Sequence, residues 1–267
     1  DICAIHQIPF TPINCEYGKT LKQEQLLQYE NKGYTAFLVN LGETSTGVLY
    51  DIELISEFCK KNNLFLIVDC ISSFLCDDLN MQKHSVNVAL TGSQKALALA
   101  PGLSVICLDG KAQKRLLNIN PQSLYFDLKS YLINGERGQT PFTPAVGVIL
   151  QLNKRLKLIK DSGGIKAELE RHRELAQYFR AKIKKLPLNI FADYPSDAVT
   201  SLSLRNADKS AYKVFEVLKD EYGIFVCPNG GDLKEKVFRV GHMGELSYSD
   251  YDRLICALEE LEKKRII

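Results

Sequence analysis

A series of short, near-continuous apolar runs, separated by helical patterns, is what most constrains the fold of this chain. TAFLVNL at 35–41 reads as a strand, and a helix follows across 51–60, where Ile52, Leu54, Ile55, Phe58 and Cys59 recur at helical spacing. LFLIVD at 64–69, VNVALTG at 86–92 and LSVICL at 103–108 continue the series. Strands that are apolar on both faces and linked by helices predict an α/β fold, with a mostly parallel central sheet and helices on both faces. Ligands of such sheets gather at the carboxyl ends of the strands, where Asp69 lies and where the turn at 92–95 follows its strand.

The second half changes character. TPAVGVILQLNKRLKLIKDSGG reads as a long helix ending at Gly163-Gly164, and KAELERHRELAQYFRAKIKKL as an amphipathic helix with Leu169, Leu175, Phe179 and Ile183 in its apolar stripe. AVTSLSLRN reads as a strand, SAYKVFEVLKDEYG as a helix closed by Gly223, and IFVC and KVFRVG as strands. SDYDRLICALEELEKK reads as a terminal helix with Ser249 and Asp250 as cap groups. This predicts a smaller C-terminal α+β domain over 161–267, after a larger domain over 1–160 that includes the connecting helix.

Composition narrows the function classes. With 267 residues and 45% hydrophobic content, the chain can build one large or two modest cores. A formal net charge of +2 gives no general attraction to nucleic acid or anionic membrane, and the lysines are dispersed over helix faces without an aromatic strand platform. No apolar run approaches membrane-spanning length, and the opening DICAIHQIPF lacks the basic-then-apolar order of a secretory signal. The eight cysteines form no CxxC pair, and settings such as VICL and LICAL read as buried free thiols of a reducing, cytoplasmic compartment. The four histidines have no metal-ligand spacing. His172, in ERHREL, reads as solvated; His242, after KVFRVG, reads as a site-lining or a structural residue.

Three features can carry chemistry. Lys95 in GSQKA sits on a polar turn between two strands, where a desolvated amine could form a Schiff base; on propensity alone it reads first as a surface lysine. Asp69 ends an apolar run, a place for a carboxylate that caps a turn or faces a ligand. GETSTG at 42–47 groups Thr44, Ser45 and Thr46 between glycines, either a polar cradle or an ordinary turn. Together, a strand-end carboxylate, a later lysine and several hydroxyls are the parts needed to hold a pyridine aldehyde cofactor, because the carboxylate keeps the ring nitrogen protonated.

NLGETSTGVLYDIE, LFLIVDCISSF, TGSQKALALAPGLS, GERGQTPFTPAV and VFRVGHMGEL carry a family resemblance across essentially the whole chain. It resembles the class V aminotransferases of fold type I, the pyridoxal-phosphate enzymes that include alanine-glyoxylate, serine-pyruvate and archaeal aspartate aminotransferases. The resemblance also implies an upstream portion with a glycine-rich phosphate loop and a ring-stacking aromatic residue, in keeping with a start at Asp1 without Met inside structured-looking sequence.

The resemblance implies these roles: Lys95 is the Schiff-base lysine, Asp69 pairs with the pyridine nitrogen, and Ile71 packs on one ring face. Thr44 donates toward the cofactor's phenolic oxygen, Gln94 contacts its phosphate, and Thr140 in GQTPF reaches a neighbouring subunit's phosphate, which makes the protein a homodimer with shared sites. The family's neighbouring tyrosine is replaced at Arg137. Arg239 in VFRVG matches the arginine that receives the substrate carboxylate, for which its planar fork is suited; without the family it reads equally as an ion-pair residue.

The implied activity is a ping-pong transfer of an amino group from alanine, serine or aspartate to glyoxylate or pyruvate. An alternative within the class is 2-aminoethylphosphonate–pyruvate aminotransferase, and an alternative of another class is a noncatalytic or truncated fold relative. Cysteine desulfurases share the broad fold, but no cysteine-bearing loop stands out near Arg239, which disfavours them.

Overall fold

The computed structural model describes residues 2–267. Two short helices, α1 (Ile2–Ile5) and α2 (Gln23–Leu27), precede the strand β1 (Ala36–Asn40), the two-stranded ribbon of β2 (Gly42–Glu43) and β3 (Val48–Leu49), and helix α3 (Ile52–Lys61). Strands β4 (Phe65–Asp69), β5 (Val88–Gly92) and β6 (Ser104–Leu108) follow, then helices α4 (Gly110–Leu117), α5 (Leu128–Gly135), α6 (Val146–Asp161) and α7 (Gly164–Ile183). The remainder runs β7 (Leu188–Ile190), β8 (Val199–Leu204), α8 (Ala211–Tyr222), β9 (Cys227–Pro228), β10 (Val237–Gly241) and α9 (Tyr248–Lys263).

The first sheet has the order β1-β4-β5-β6. Its β1–β4 and β4–β5 pairs are parallel, with Asn40 opposite Asp69 and Asp69 opposite Leu90, and only β6 runs antiparallel. The mostly parallel sheet read from the apolar runs is therefore present. Leu66, Val68 and Ala89 pack with Leu41, Ile55 and Phe58 of the elements around them, which is why these strands carry few polar residues. Helix α3 starts where Asp51 Oδ1 accepts from Glu53 N and Leu54 N, at 2.9 and 3.1 Å, satisfying two donors that the first turn leaves free. Replacing Asp51 by alanine is expected to lower the unfolding free energy by about 1 kcal/mol. An unchanged urea midpoint would show that this cap carries no stability.

The second sheet, β7-β8-β10-β9, is antiparallel throughout. Phe179, Leu202, Val214, Leu218, Phe238 and Leu258 form its core with α7, α8 and α9.

Several expectations need correction. The strand read over IFVC shrinks to Cys227–Pro228, because Ile224 N is taken by the helix carbonyl of Leu218 at 2.9 Å as the chain leaves α8. Ser247, not Ser249, is the N-cap of α9, and the carboxylate of Asp250 accepts from Ser247 N at 2.9 Å. His172 is fully buried rather than solvated: it shares the inward face of α7 with Glu168, Leu175, Ala176 and Phe179, and its Nδ1 lies 2.7 Å from Glu168 O. Burial pushes its basicity below the usual imidazole range. Cys59, Cys70 and Cys76 are buried, but Cys107 and Cys256, the cysteines of VICL and LICAL, are exposed. Cys107 lies on β6, most of which is open to solvent, and Cys256 points away from the buried stripe of α9.

The two sheets are tied by a buried polar network. Asp77, in the turns after β4, accepts from Ser196 Oγ at 2.5 Å and from Asp197 N at 2.9 Å, both just before β8. Arg180 bonds Asp197 at 3.1 Å and Thr200 Oγ1 at 2.9 Å, and also donates to Ser196 O. Thr200 Oγ1 lies 2.7 Å from His242 Nε2, and His242 Nδ1 lies 2.8 Å from the Tyr251 hydroxyl. His242 is thus fully buried and structural, the second of the two roles open to it.

Burial pushes the Asp77 carboxyl up to about 6, against the two hydrogen bonds that favour its charged form and the more distant Arg180. A carboxyl raised in the folded state contributes stability that is fully present below its unfolded value, about 4, and is lost as pH rises through about 6. Asp77→Asn removes this dependence. The wild-type unfolding free energy, relative to that of the variant, is expected to fall by about 2 kcal/mol between pH 4 and pH 7. Parallel stability curves for the two proteins would contradict it.

Candidate active site

The carboxyl ends of β1, β4 and β5 lie side by side, and the turn that leaves each one carries a polar motif. After β1 the chain enters the ribbon of GETSTG. Glu43 folds it by accepting from Ser45 N at 2.9 Å, Thr46 N at 2.8 Å and Thr46 Oγ1 at 2.5 Å. Burial disfavours the Glu43 carboxylate, but these bonds outweigh it and hold the group below its ordinary value. Gly47 has φ +77°, and a Cβ there would lie 3.1 Å from Ser201 Oγ and 3.2 Å from Ser201 N. Only glycine lets this turn pass so close to β8. Asn229 Nδ2 holds the turn from the other side, donating to Ser45 O at 2.9 Å.

After β4, Asp69 Oδ1 accepts from Ile71 N at 2.9 Å, which turns the chain and leaves the half-buried carboxylate at the strand end. Its second oxygen takes no hydrogen bond among the described residues. Ser72 Oγ lies 2.6 Å from Thr44 Oγ1, joining this turn to the GETSTG ribbon.

After β5, Ser93 Oγ donates to Ala100 O at 2.8 Å and accepts from Leu103 N at 3.2 Å, while Ala98 N donates to Lys95 O at 2.9 Å. This pins the turn that displays Lys95, which is half-buried, and Gln94, which is exposed. The Gln94 side chain folds back over Gly92, where a Cβ would meet its Oε1 at 2.6 Å. Neither the Lys95 amine nor the Gln94 amide makes a hydrogen bond among the described residues, so both are available to a ligand.

Arg239 reaches the same region from β10. Its Nη1 donates to Thr44 O at 3.3 Å, and its Nη2 donates to Pro228 O at 2.7 Å and to Cys227 Sγ at 2.9 Å. Its Nε is buried and has no hydrogen-bond partner among the described residues. An unpaired buried donor costs about 1–3 kcal/mol, a cost that an incoming anion would relieve. Cys227 lies beside Arg239, where the sequence reading looked for a cysteine-bearing loop. The residue sits on β9 opposite Arg239, in a strand rather than a loop.

The structure therefore gathers Thr44, Asp69, Ile71, Gln94 and Lys95 at adjacent strand ends and joins Arg239 to them through Thr44. Thr140 stands apart: it is exposed, its hydroxyl donates to Phe142 O at 2.6 Å, and no hydrogen bond joins it to the others among the described residues. Arg137 donates to Asn134 Oδ1 at 2.5 Å. Ser72, Cys227 and Asn229 escaped the sequence reading. Ser72 follows Ile71 directly and could have been found by asking which hydroxyl turns beside Asp69; the other two meet the site only through strand pairing and turn packing. Among the described residues no cluster of His, Cys, Asp and Glu could hold a metal ion, and no helix is long and apolar enough to cross a membrane.

This arrangement has counterparts. The sequence profile of the class-V aminotransferases matches residues 5–232, and the chain belongs to that family. An uncharacterized aminotransferase of Methanocaldococcus jannaschii is 33% identical over 87% of this chain and 61% of its own length. The L-aspartate–glyoxylate aminotransferase of Paracoccus denitrificans is 28% identical over 92% of this chain and 64% of its own length. Among solved structures, an aspartate aminotransferase of Thermus thermophilus superimposes with a TM-score of 0.83 at 25% identity, covering 93% of this chain and 69% of that one. The fold is that of the fold type I aminotransferases, whose class V members are pyridoxal-phosphate enzymes. The chain thus spans less than two thirds of the length of either curated relative.

Proposed function

We propose that this chain forms the site of a pyridoxal-phosphate-dependent aminotransferase that moves an amino group from alanine, serine or aspartate to glyoxylate or pyruvate in two half-reactions. The observation that carries this reading is the convergence of a free lysine, a strand-end carboxylate and paired hydroxyls at three neighbouring strand ends, joined from β10 by an arginine with an unpaired donor. The donor set fits the cofactor: Asp69 has an open acceptor for a protonated ring nitrogen, and Lys95 and Gln94 are uncommitted. When bound, the cofactor supplies an aldehyde that takes up amines and a ring that accepts electrons released at the substrate carbon.

The chain's own groups do the rest. Asp69 holds the ring nitrogen's proton, and Ile71, whose backbone Asp69 fixes, packs on one ring face. Thr44, oriented by Ser72, donates toward the phenolic oxygen. Gln94 contacts the phosphate, and Thr140, being exposed, contacts the phosphate of a second copy in a homodimer. Lys95 Nζ, once freed by substrate, moves the proton at the substrate Cα. Arg239 binds the carboxylate of donor and acceptor in turn. Residues 1–160 form the larger domain and 161–267 the smaller, and we place the protein in the cytoplasm.

The reading is tested by incubating the protein and pyridoxal phosphate with alanine, serine, aspartate or 2-aminoethylphosphonate plus glyoxylate or pyruvate, and identifying the products by mass. Formation of a 2-oxo acid from one of the three amino acids is the expected result. Turnover of 2-aminoethylphosphonate alone, or of no donor, would overturn it.

A further inference from the structure

A guanidinium offers a carboxylate two forks, Nε with Nη2 and Nη1 with Nη2, so every two-point contact uses Nη2. In this protein Arg239 Nη2 already donates to two acceptors, Pro228 O at 2.7 Å and Cys227 Sγ at 2.9 Å. Nε, the other half of the side-on fork, is buried and unpaired among the described residues. The carbonyl belongs to the backbone of a paired strand and cannot leave without breaking the sheet edge. The thiol is on an exposed side chain, is a weak acceptor, and has a second neighbour in Pro228 O at 3.7 Å toward which its own proton can turn.

We propose that Cys227 is a specificity-determining residue of this site, its thiol occupying on Arg239 the place that one oxygen of a substrate carboxylate takes when it binds. The inference rests on the reading of Arg239 as the carboxylate receiver. Binding exchanges the Sγ contact for a charge-assisted one and satisfies the orphaned Nε. The thiol keeps the guanidinium oriented in the empty site, and it weakens every carboxylate by the contact it surrenders. Ligands without a carboxylate leave the thiol contact intact and gain nothing from Arg239. Cys227 therefore acts on binding and leaves the later chemistry unaltered.

The test measures pyruvate binding to the protein by calorimetry, together with steady-state KM and kcat for the best amino donor, in the wild type and in Cys227→Ala, Cys227→Asp and Arg239→Gln. Cys227→Ala is expected to tighten pyruvate binding and to lower KM by about three- to tenfold, the size of one weak hydrogen bond, with kcat within about twofold of wild type. Cys227→Asp, whose carboxylate pairs with the arginine, is expected to weaken binding at least about tenfold. Loss of binding in Arg239→Gln with no change in either Cys227 variant overturns the role of Cys227 and leaves that of Arg239 standing. Binding that survives in Arg239→Gln, or that is absent from both the wild type and Cys227→Ala, contradicts the carboxylate-receiver reading itself.

Discussion

Lys95→Ala is expected to lower aminotransferase turnover by about a thousandfold or more, because in the proposed reaction one side chain supplies both the covalent attachment point and the proton shuttle. The turn that presents Lys95 is held by Ser93, Ala98 and Leu103 through bonds that do not involve the amine, so the variant keeps its fold. A loss of activity without a loss of thermal stability is the signature. Lys95→Arg, which keeps the charge but lacks a primary amine able to form a Schiff base, is expected to be equally inactive. Added small primary amines are expected to restore part of the rate in the alanine variant and none in the arginine variant, whose side chain fills the space. Turnover within tenfold of wild type in Lys95→Ala would remove the lysine from the mechanism.

Asp69→Asn is the second large effect. In the proposed reaction the carboxylate has two tasks, and the substitution separates them. Asn retains an Oδ1 that can accept from Ile71 N, now at 2.9 Å, so the turn after β4 survives. The negative charge that holds a proton on the ring nitrogen is lost, and with it the stabilisation of charge developing in the ring. A loss of about 10²–10³-fold in kcat is expected, comparable to removing one preorganised electrostatic contact. The variant is expected to bind pyridoxal phosphate and to melt near the wild-type temperature. Unchanged kcat would mean that Asp69 only caps its turn.

The parts of this site that sequence made legible are those in which one local segment sets both structure and chemistry. LFLIVD announces a buried strand by its apolar run and a strand-end carboxylate by its last residue, and β4 ends at Asp69. GSQKA follows a similar run and becomes the turn beyond β5. His172 was misread because the charges of ERHREL describe its neighbours along the chain, whereas burial on a helix follows phase. Glu168, His172, Leu175, Ala176, Phe179 and Ile183 lie on one inward stripe. Reading that phase instead of the local charge would have placed the histidine inside. The contact of Cys227 with Arg239 and the network of Asp77 with Ser196 join residues far apart in sequence. Register and packing between sheets create these contacts, and no spacing records them.

Titration of the protein with pyridoxal phosphate, followed by visible absorbance, tests the central claim most directly. The account predicts a saturable band in the wild type and in Asp69→Asn, no such band in Lys95→Ala, and bleaching of the wild-type band by alanine, serine or aspartate. A band of equal strength in Lys95→Ala, or no band in any of the proteins, would contradict it.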